Sequence, residues 1–183
     1  GAVYCLKAQD GRLAWSARPM DGATHILGAG RVMSLWPVRT GVLVDNGGGA
    51  SAAVMHLARL GHRRIGVISG LPVVGTSTER MEGYRAGLAA SGLDEDPSIV
   101  RAGNSRIDGG YQRMLELLDL ERPPTALFVT NNLMTIGALG ALRLRDVTVP
   151  DDLALIGFDD FEWAAVLRPR LSAVAQPTYD IGE

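Results

Sequence analysis

A single cysteine, Cys5, and a single lysine, Lys7, are all that these 183 residues hold of two chemically versatile side chains. One thiol excludes an intrachain disulfide and leaves no thiolate cluster for a structural metal; it suits a reducing compartment. One lysine, far from any glycine-rich turn, leaves no G-x-x-x-x-G-K-[ST] phosphate loop, and the basic charge is carried almost entirely by arginine. No apolar run approaches the roughly 18 residues that a membrane span needs. The N-terminal GAVYCLKAQDGRLAW also lacks the basic-then-apolar layout of a secretory signal. These absences point to a cytoplasmic protein with no membrane contact. A net charge of -2 supplies no basic field, so nucleic-acid binding by this chain alone has little electrostatic support.

Enzyme signatures are equally scarce. There is no G-x-S-x-G nucleophile elbow, and the three histidines, His25, His56 and His62, form neither a helical i, i+4 pair nor a ligand cluster with Cys5. His62 follows Gly61, a helix-ending residue, where its ring is expected to face the terminal carbonyls. Gly47, Gly49 and Ala52 fit the dinucleotide pattern G-x-G-x-x-G/A, but the next strand ends in Ser69-Gly70 with no acid to hold a ribose hydroxyl. We therefore expect no catalytic residue, no metal and no cofactor.

What the chain does have is a globular balance of 46% apolar and 21% charged residues, enough for one substantial core or two small lobes. The first forty residues are the least regular. Ala2 to Leu6 and Thr24 to Leu27 are short strand candidates, with QDGR at Gln9 to Arg12 as a turn. Trp15 and Trp36 lie here, fitting either a small core or an interface.

From Gly41 a regular alternation begins. Strands are expected at Val42 to Val44, Ile65 to Ile68, Ile99 to Ala102, Thr125 to Val129, Leu153 to Phe158 and Leu171 to Ala175. Helices are expected at Gly47 to Leu60, Thr78 to Ser91, Ile107 to Leu120 and from Thr130-Asn131 to about Leu144, then a short one after Asp160 and another starting at Thr178. Gly61 and Gly92 serve as C-terminal caps and Pro150 as a stop. Arg63/Arg64 and Arg143/Arg145 read as solvated helix ends and faces. Such alternation means right-handed crossovers and a parallel sheet.

The stretch from Arg122 to Asp160 carries the functional signal. It reads as strand, helix, strand, and it ends in Asp159 and Asp160 at the carboxyl end of a strand, where open parallel sheets bind ligands. Adjacent residues at a strand end point in opposite directions, so Asp159 is assigned to the cleft and Asp160 to capping the next helix. A carboxylate there grips hydroxyls, and an arginine fork supplies complementary donors. Arg80, in the first turns of the helix after Ile65 to Ile68, is the fork; Asn131, at the end of its own strand, adds an amide. An internal salt bridge between Arg80 and Asp159 is the competing reading of the same pair. The constellation suits a small polyhydroxyl or heterocyclic molecule.

The segments VDNGGGASAAVMHLARLGHRRIGVISG, TERMEGYRAGLAASGL, DGGY, RPPTALFVTNNLMTIGALGAL, VPDDLALIGFDDFEWAAVLRPRLSAVAQP and DIG, in unbroken order over Val42 to Gly182, resemble the effector-binding core of the LacI/GalR family of transcriptional regulators. The resemblance implies an α/β fold: a parallel-sheet, three-layer α/β/α lobe of the periplasmic-binding-protein-like (type I) architecture, with a partial second lobe. It implies residues 42–183 as the effector-binding lobe and 1–41 as a partial or atypical remnant of the other, in a chain truncated at both ends. The family's ligand arginine in R-x-x-G-[YFW] falls on Arg80, its cleft aspartate in G-[FY]-D-[DN] on Asp159, and its asparagine in N-D-x-M-A-x-G on Asn131. Ser105 and Gln176 complete the candidate ligand-binding set. Two departures matter: Asn132 replaces the family's acid, and Ser105 stands where many sugar-binding members place a stacking aromatic. The implied partners are a sugar or related metabolite, a second copy in a homodimer, and DNA only through a helix-turn-helix not found in this sequence. A solute-binding protein of a sugar transporter has the same architecture and is the alternative.

Overall fold

The computed structural model describes residues 45–160 and 169–175, together with the backbone of four short strands before them. The chain divides into two compact units, one of residues 1–44 with 177–183, the other of residues 45–176.

In the first unit, β1 (Val3–Leu6) pairs antiparallel with β2 (Leu13–Ala17), and β3 (His25–Gly28) with β4 (Arg31–Ser34). The expected strands at Ala2 to Leu6 and Thr24 to Leu27 are β1 and β3. Their partners, LAWSA and RVMS, are too short and mixed to show a period of their own. The strand expected at Val42 to Val44, the helices expected after Asp160 and from Thr178, and Gln176 lie outside the described residues.

The second unit is a five-stranded parallel sheet, β5 (Ile65–Ser69), β6 (Val100–Ala102), β7 (Ala126–Val129), β8 (Ala154–Phe158) and β9 (Ser172–Val174), in the order β6-β5-β7-β8-β9. Four helices flank it: α1 (Asn46–Arg59), α2 (Gly75–Ala90), α3 (Ile107–Leu118) and α4 (Asn132–Leu144). Every residue of β5, β7 and β8 is buried, which is why these strands are nearly unbroken apolar runs rather than alternating ones. Period-two alternation sends Ile68, Leu127, Val129 and Leu155 into one core with Met114 and Leu117 of α3 and Met134 and Ala138 of α4. On the opposite face α1 brings Gly49 against Phe158 and Val174, and α2 buries Tyr84, whose hydroxyl donates to the Ile65 carbonyl at 2.8 Å. The result is the expected three-layer α/β/α arrangement.

Helix α2 begins at Gly75, three residues before the expected Thr78. Its N-cap, Val74, makes no side-chain hydrogen bond, and Thr78 Oγ1 donates back to the Pro72 carbonyl at 3.0 Å. A helix that starts on Val-Gly without a cap has no start signal to read.

Glycine sets how closely the helices approach. A β-carbon on Gly83 of α2 would overlap the Gly47 carbonyl oxygen of α1, and one on Gly87 would lie 2.8 Å from the Ser51 carbonyl oxygen. Across the sheet, a β-carbon on Gly110 of α3 would overlap the Met134 carbonyl oxygen, and one on Gly137 of α4 the Ile107 carbonyl oxygen. Each pair of helices thus packs backbone against backbone.

The helix ends follow simple capping chemistry. Gly61 and Gly92 adopt φ of 98° and 67° and terminate α1 and α2 as expected. His62 does not take the carbonyl-facing role: its Nδ1 lies 3.1 Å from Thr125 Oγ1, and Arg63, with a longer reach, donates to the Ala58 carbonyl at 3.0 Å. Arg64 is not merely solvated; it pairs with Asp96 and donates to Ser98 Oγ at 3.1 Å.

Hydrogen bonds from Ser98, reinforced by Arg64, hold the Asp96 carboxyl down at about 2 from its usual 3.8. A depressed folded-state pKa adds stability that is complete above the unfolded value and lost as pH falls through the folded one. The urea midpoints of the parent and of Asp96→Asn should therefore differ at pH 5 and converge as pH falls toward about 2. A gap that stays constant across that window would show that Asp96 is not the linked group.

Candidate functional site

The sheet order locates the site. From β5 the chain moves outward through α2 to β6, then returns through α3 to β7 on the other side of β5. The direction of travel thus reverses at β5 and β7, a switch point whose carboxyl edge is where open parallel sheets bind ligands.

Short polar groups tie the loops at this edge together. Gly70 N–H donates to Thr130 Oγ1 at 3.0 Å, Leu71 N–H to Ser105 Oγ at 3.2 Å, Gly103 N–H to the Ser69 carbonyl at 2.7 Å, and Asn131 Nδ2 to the Ser105 carbonyl at 3.2 Å. Asn131 is also the N-cap of α4, accepting from Met134 N–H at 2.8 Å. Its carbonyl and one N–H are thus in use inside the unit, and Ser105 uses both its hydroxyl and its carbonyl to hold its neighbours. Ser105 sits at φ 62°, a left-handed conformation that a non-glycine residue keeps only when its surroundings enforce it.

Arg80 and Asp159 come together as the residues alone suggested, and they make the ion pair. Arg80 is 7% exposed. Its Nη1 donates to Asp159 Oδ2 at 3.1 Å and to the Thr130 carbonyl at 2.6 Å; its Nη2 donates to Asp159 Oδ1 at 3.3 Å; its Nε donates to Asn46 Oδ1 at 2.8 Å. The guanidinium carbon lies 3.8 Å from the centroid of the Phe158 ring, so a cation–π contact supports one face of the fork. The Asp159 side chain is 22% exposed against 8% for that of Arg80. Asp159 has φ 72°, and its N–H donates to the Val174 carbonyl at 3.0 Å, anchoring this turn to β9. Asp160 points elsewhere and accepts from Arg170 Nη2 at 3.1 Å. The two carboxylates thus diverge, as strand-end geometry requires.

Asn46, Thr130 and Phe158 belong to this site and were not singled out in the sequence. Asn46 sits beside Asp45, whose Oδ1 caps α1 by accepting from Gly48 N–H at 2.7 Å. That carboxylate fills the helix N-terminus where a dinucleotide phosphate would sit, and Gly49 is small because Phe158 and Val174 press on it. The glycine pattern is thus a packing and capping device. Thr130 contributes through its carbonyl and Phe158 as a platform, neither of which a side-chain motif specifies.

This arrangement can accept hydrogen bonds from hydroxyl groups at a carboxylate whose position is fixed from behind. Among the described residues no group of three or more His, Cys, Asp or Glu side chains is placed to hold a metal ion, and no helix is long and apolar enough to cross a membrane.

Residues 54–183 match the family described as a periplasmic binding protein-like domain. The transcriptional repressor CytR of Escherichia coli K12 is 38% identical over 141 residues, which cover 77% of this chain and 41% of that protein. A LacI-family regulatory protein from Chloroflexus aggregans superposes with a TM-score of 0.72 at 36% identity, covering 75% of this chain and 50% of that one. A complex of the transcriptional regulator CelR with cellobiose gives 0.71 at 38% identity, covering 76% and 42%. The chain thus spans about two fifths to half the length of these relatives. It belongs to the periplasmic binding protein-like domain family, and the relatives it matches are transcriptional regulators.

Proposed function

We propose that this chain is the effector-binding core of a transcriptional regulator. The observation that carries this reading is the buried Arg80–Asp159 pair, held at the carboxyl edge of the sheet by Asn46, Thr130 and Phe158, with the carboxylate the more exposed of the two partners. Its ligand is a small molecule with hydroxyl groups, a sugar or related metabolite; Ser105 and Asn131 tie the loops at the same edge. Because Ser105 offers no flat apolar platform, hydrogen bonding rather than ring stacking dominates recognition. Effector binding shifts the population of lobe arrangements and thereby the DNA-competent state of the whole regulator. DNA is read by a helix-turn-helix rather than by the residues described. The chain works in the cytoplasm as a homodimer, to which Ile107 and Leu133, 47% and 41% exposed, offer apolar surface. That the relatives are regulators supports this reading over a transport-type solute-binding protein.

Thermal stabilisation against a panel of monosaccharides, disaccharides, nucleosides and sugar phosphates tests it. A bound effector at one hundred times its Kd adds ~2.7 kcal/mol, or roughly 5–10 °C for a chain of this size. Asp159→Asn should abolish the shift. No shift in the folded parent with any member of the panel would sink the proposal.

A further inference from the structure

We infer that Asn46 is a positioning residue of the effector site, acting through Arg80 and locked in orientation by Glu79. The inference rests on the effector-site reading of Arg80 and Asp159 and adds to it a residue that lies behind the ion pair.

Hydrogen-bond accounting leads to Asn46. Of the five N–H groups of the Arg80 guanidinium, Nε serves Asn46, both on Nη1 serve Thr130 and Asp159, and one on Nη2 serves Asp159. A single Nη2 N–H is left to meet an effector, so its direction depends wholly on the orientation of the planar fork. That plane is fixed on one side by Asp159 and at the opposite corner by Asn46 Oδ1.

The amide of Asn46, in a residue 5% exposed, has only one workable orientation. Its Nδ2 donates to Glu79 Oε2 at 2.7 Å. An ionised carboxylate accepts and cannot donate, so the amide nitrogen must face Glu79 and the amide oxygen must face Arg80. Glu79 is thus the lock, Asn46 the brace and Arg80 the braced group. Neither lock nor brace belongs to the Asp159 pairing, and capping of α1 is left to Asp45.

Three variants test this in the full chain: Asn46→Ala, Asn46→Asp, and Asn46→Asp combined with Glu79→Gln. Asn46→Asp keeps an acceptor for Arg80 but sets it against the Glu79 carboxylate; the added Glu79→Gln supplies an amide donor and restores the network in reversed polarity. The ligand-free readout is the Arg80 Nε–H resonance, assigned by its loss in Arg80→Lys. Slow solvent exchange in the parent, exchange at least about tenfold faster in Asn46→Ala and recovery in the double variant are expected, on the scale of one hydrogen bond to a charged group. A protected Nε–H in Asn46→Ala would overturn the inference.

The second readout is affinity for D-glucose, D-ribose, cellobiose and uridine, each titrated by calorimetry. A probe that binds the parent should bind Asn46→Ala about tenfold to a hundredfold more weakly and return to near-parent affinity in the double variant. Equal loss in Asn46→Ala and in the double variant would mean a packing role only. Failure of every panel compound to bind the parent would count against the effector reading, while the exchange measurement would still decide whether Asn46 braces Arg80.

Discussion

Replacing Arg80 with methionine should lower the unfolding free energy by about 3 kcal/mol, at the lower end of the cost of breaking a buried ion pair from one side. Methionine keeps the apolar stem as far as the position of Nε but removes every donor and the guanidinium contact with Phe158. The Asn46 amide oxygen and the Thr130 carbonyl lose a partner in buried surroundings, and Asp159 loses its counter-charge. Because the Asp159 side chain is 22% exposed, water takes over part of that loss, which places the estimate at the lower end. Adding Asp159→Asn should recover a substantial part, since it removes the stranded charge. Urea denaturation at constant m measures both variants. An unchanged midpoint in Arg80→Met would mean that the pair contributes nothing to the folded state and that the buried fork is held by packing alone.

Gly110→Ala should be of similar size, by a different mechanism. A methyl group there meets the Met134 carbonyl oxygen, a backbone atom that cannot move aside by changing rotamer, so α3 and α4 must separate. Overpacking of this kind costs roughly 1–3 kcal/mol, offset by the ~1 kcal/mol preference of alanine over glycine inside a helix. Here the clash is with backbone, and a net loss of about 2 kcal/mol is expected. Gly137→Ala presses on the same interface from the other helix, against the Ile107 carbonyl oxygen. The double variant should therefore cost less than the sum of the two, because helices parted for one methyl group have room for the other. Gly75→Ala is the control of opposite sign. Nothing lies within 4 Å of its β-carbon position at the start of α2, so a small gain is expected. Calorimetric midpoints of the parent and the four variants suffice; destabilisation of equal size in Gly75→Ala and Gly110→Ala would refute the close-packing account.

The strands of the second unit and two of the site residues were legible in the sequence for the same reason. Burial on both faces writes β5, β7 and β8 as apolar runs, and whatever follows such a run stands at the carboxyl edge. That rule selected Asp159 and Asp160, alternation at the strand end gave Asp159 the cleft, and the helix after β5 brought Arg80. Asn46, by contrast, lies at a helix start next to a better capping residue, and its partners Glu79 and Arg80 are more than thirty positions away. No local window contains that relation. The Thr130 carbonyl was unreadable in principle, because every residue but proline carries the same acceptor and donor on its backbone. The early start of α2 was missed because Val74 and Gly75 are poor signals for a helix held in place by tertiary packing. The expectation for His62 failed on reach, since the flexible Arg63 beside it competes for the same carbonyl.

The order of the strands bears on how the protein is made. β5 leaves the ribosome before any strand that pairs with it in this sheet, and β6 and β7 then dock on its two sides; β8 docks on β7, and β9 on β8. Each new strand finds its neighbour already synthesised, and each connecting helix is complete before the strand that follows it. The sheet can thus be laid down in step with translation, each strand after β5 adding to an edge that is already synthesised.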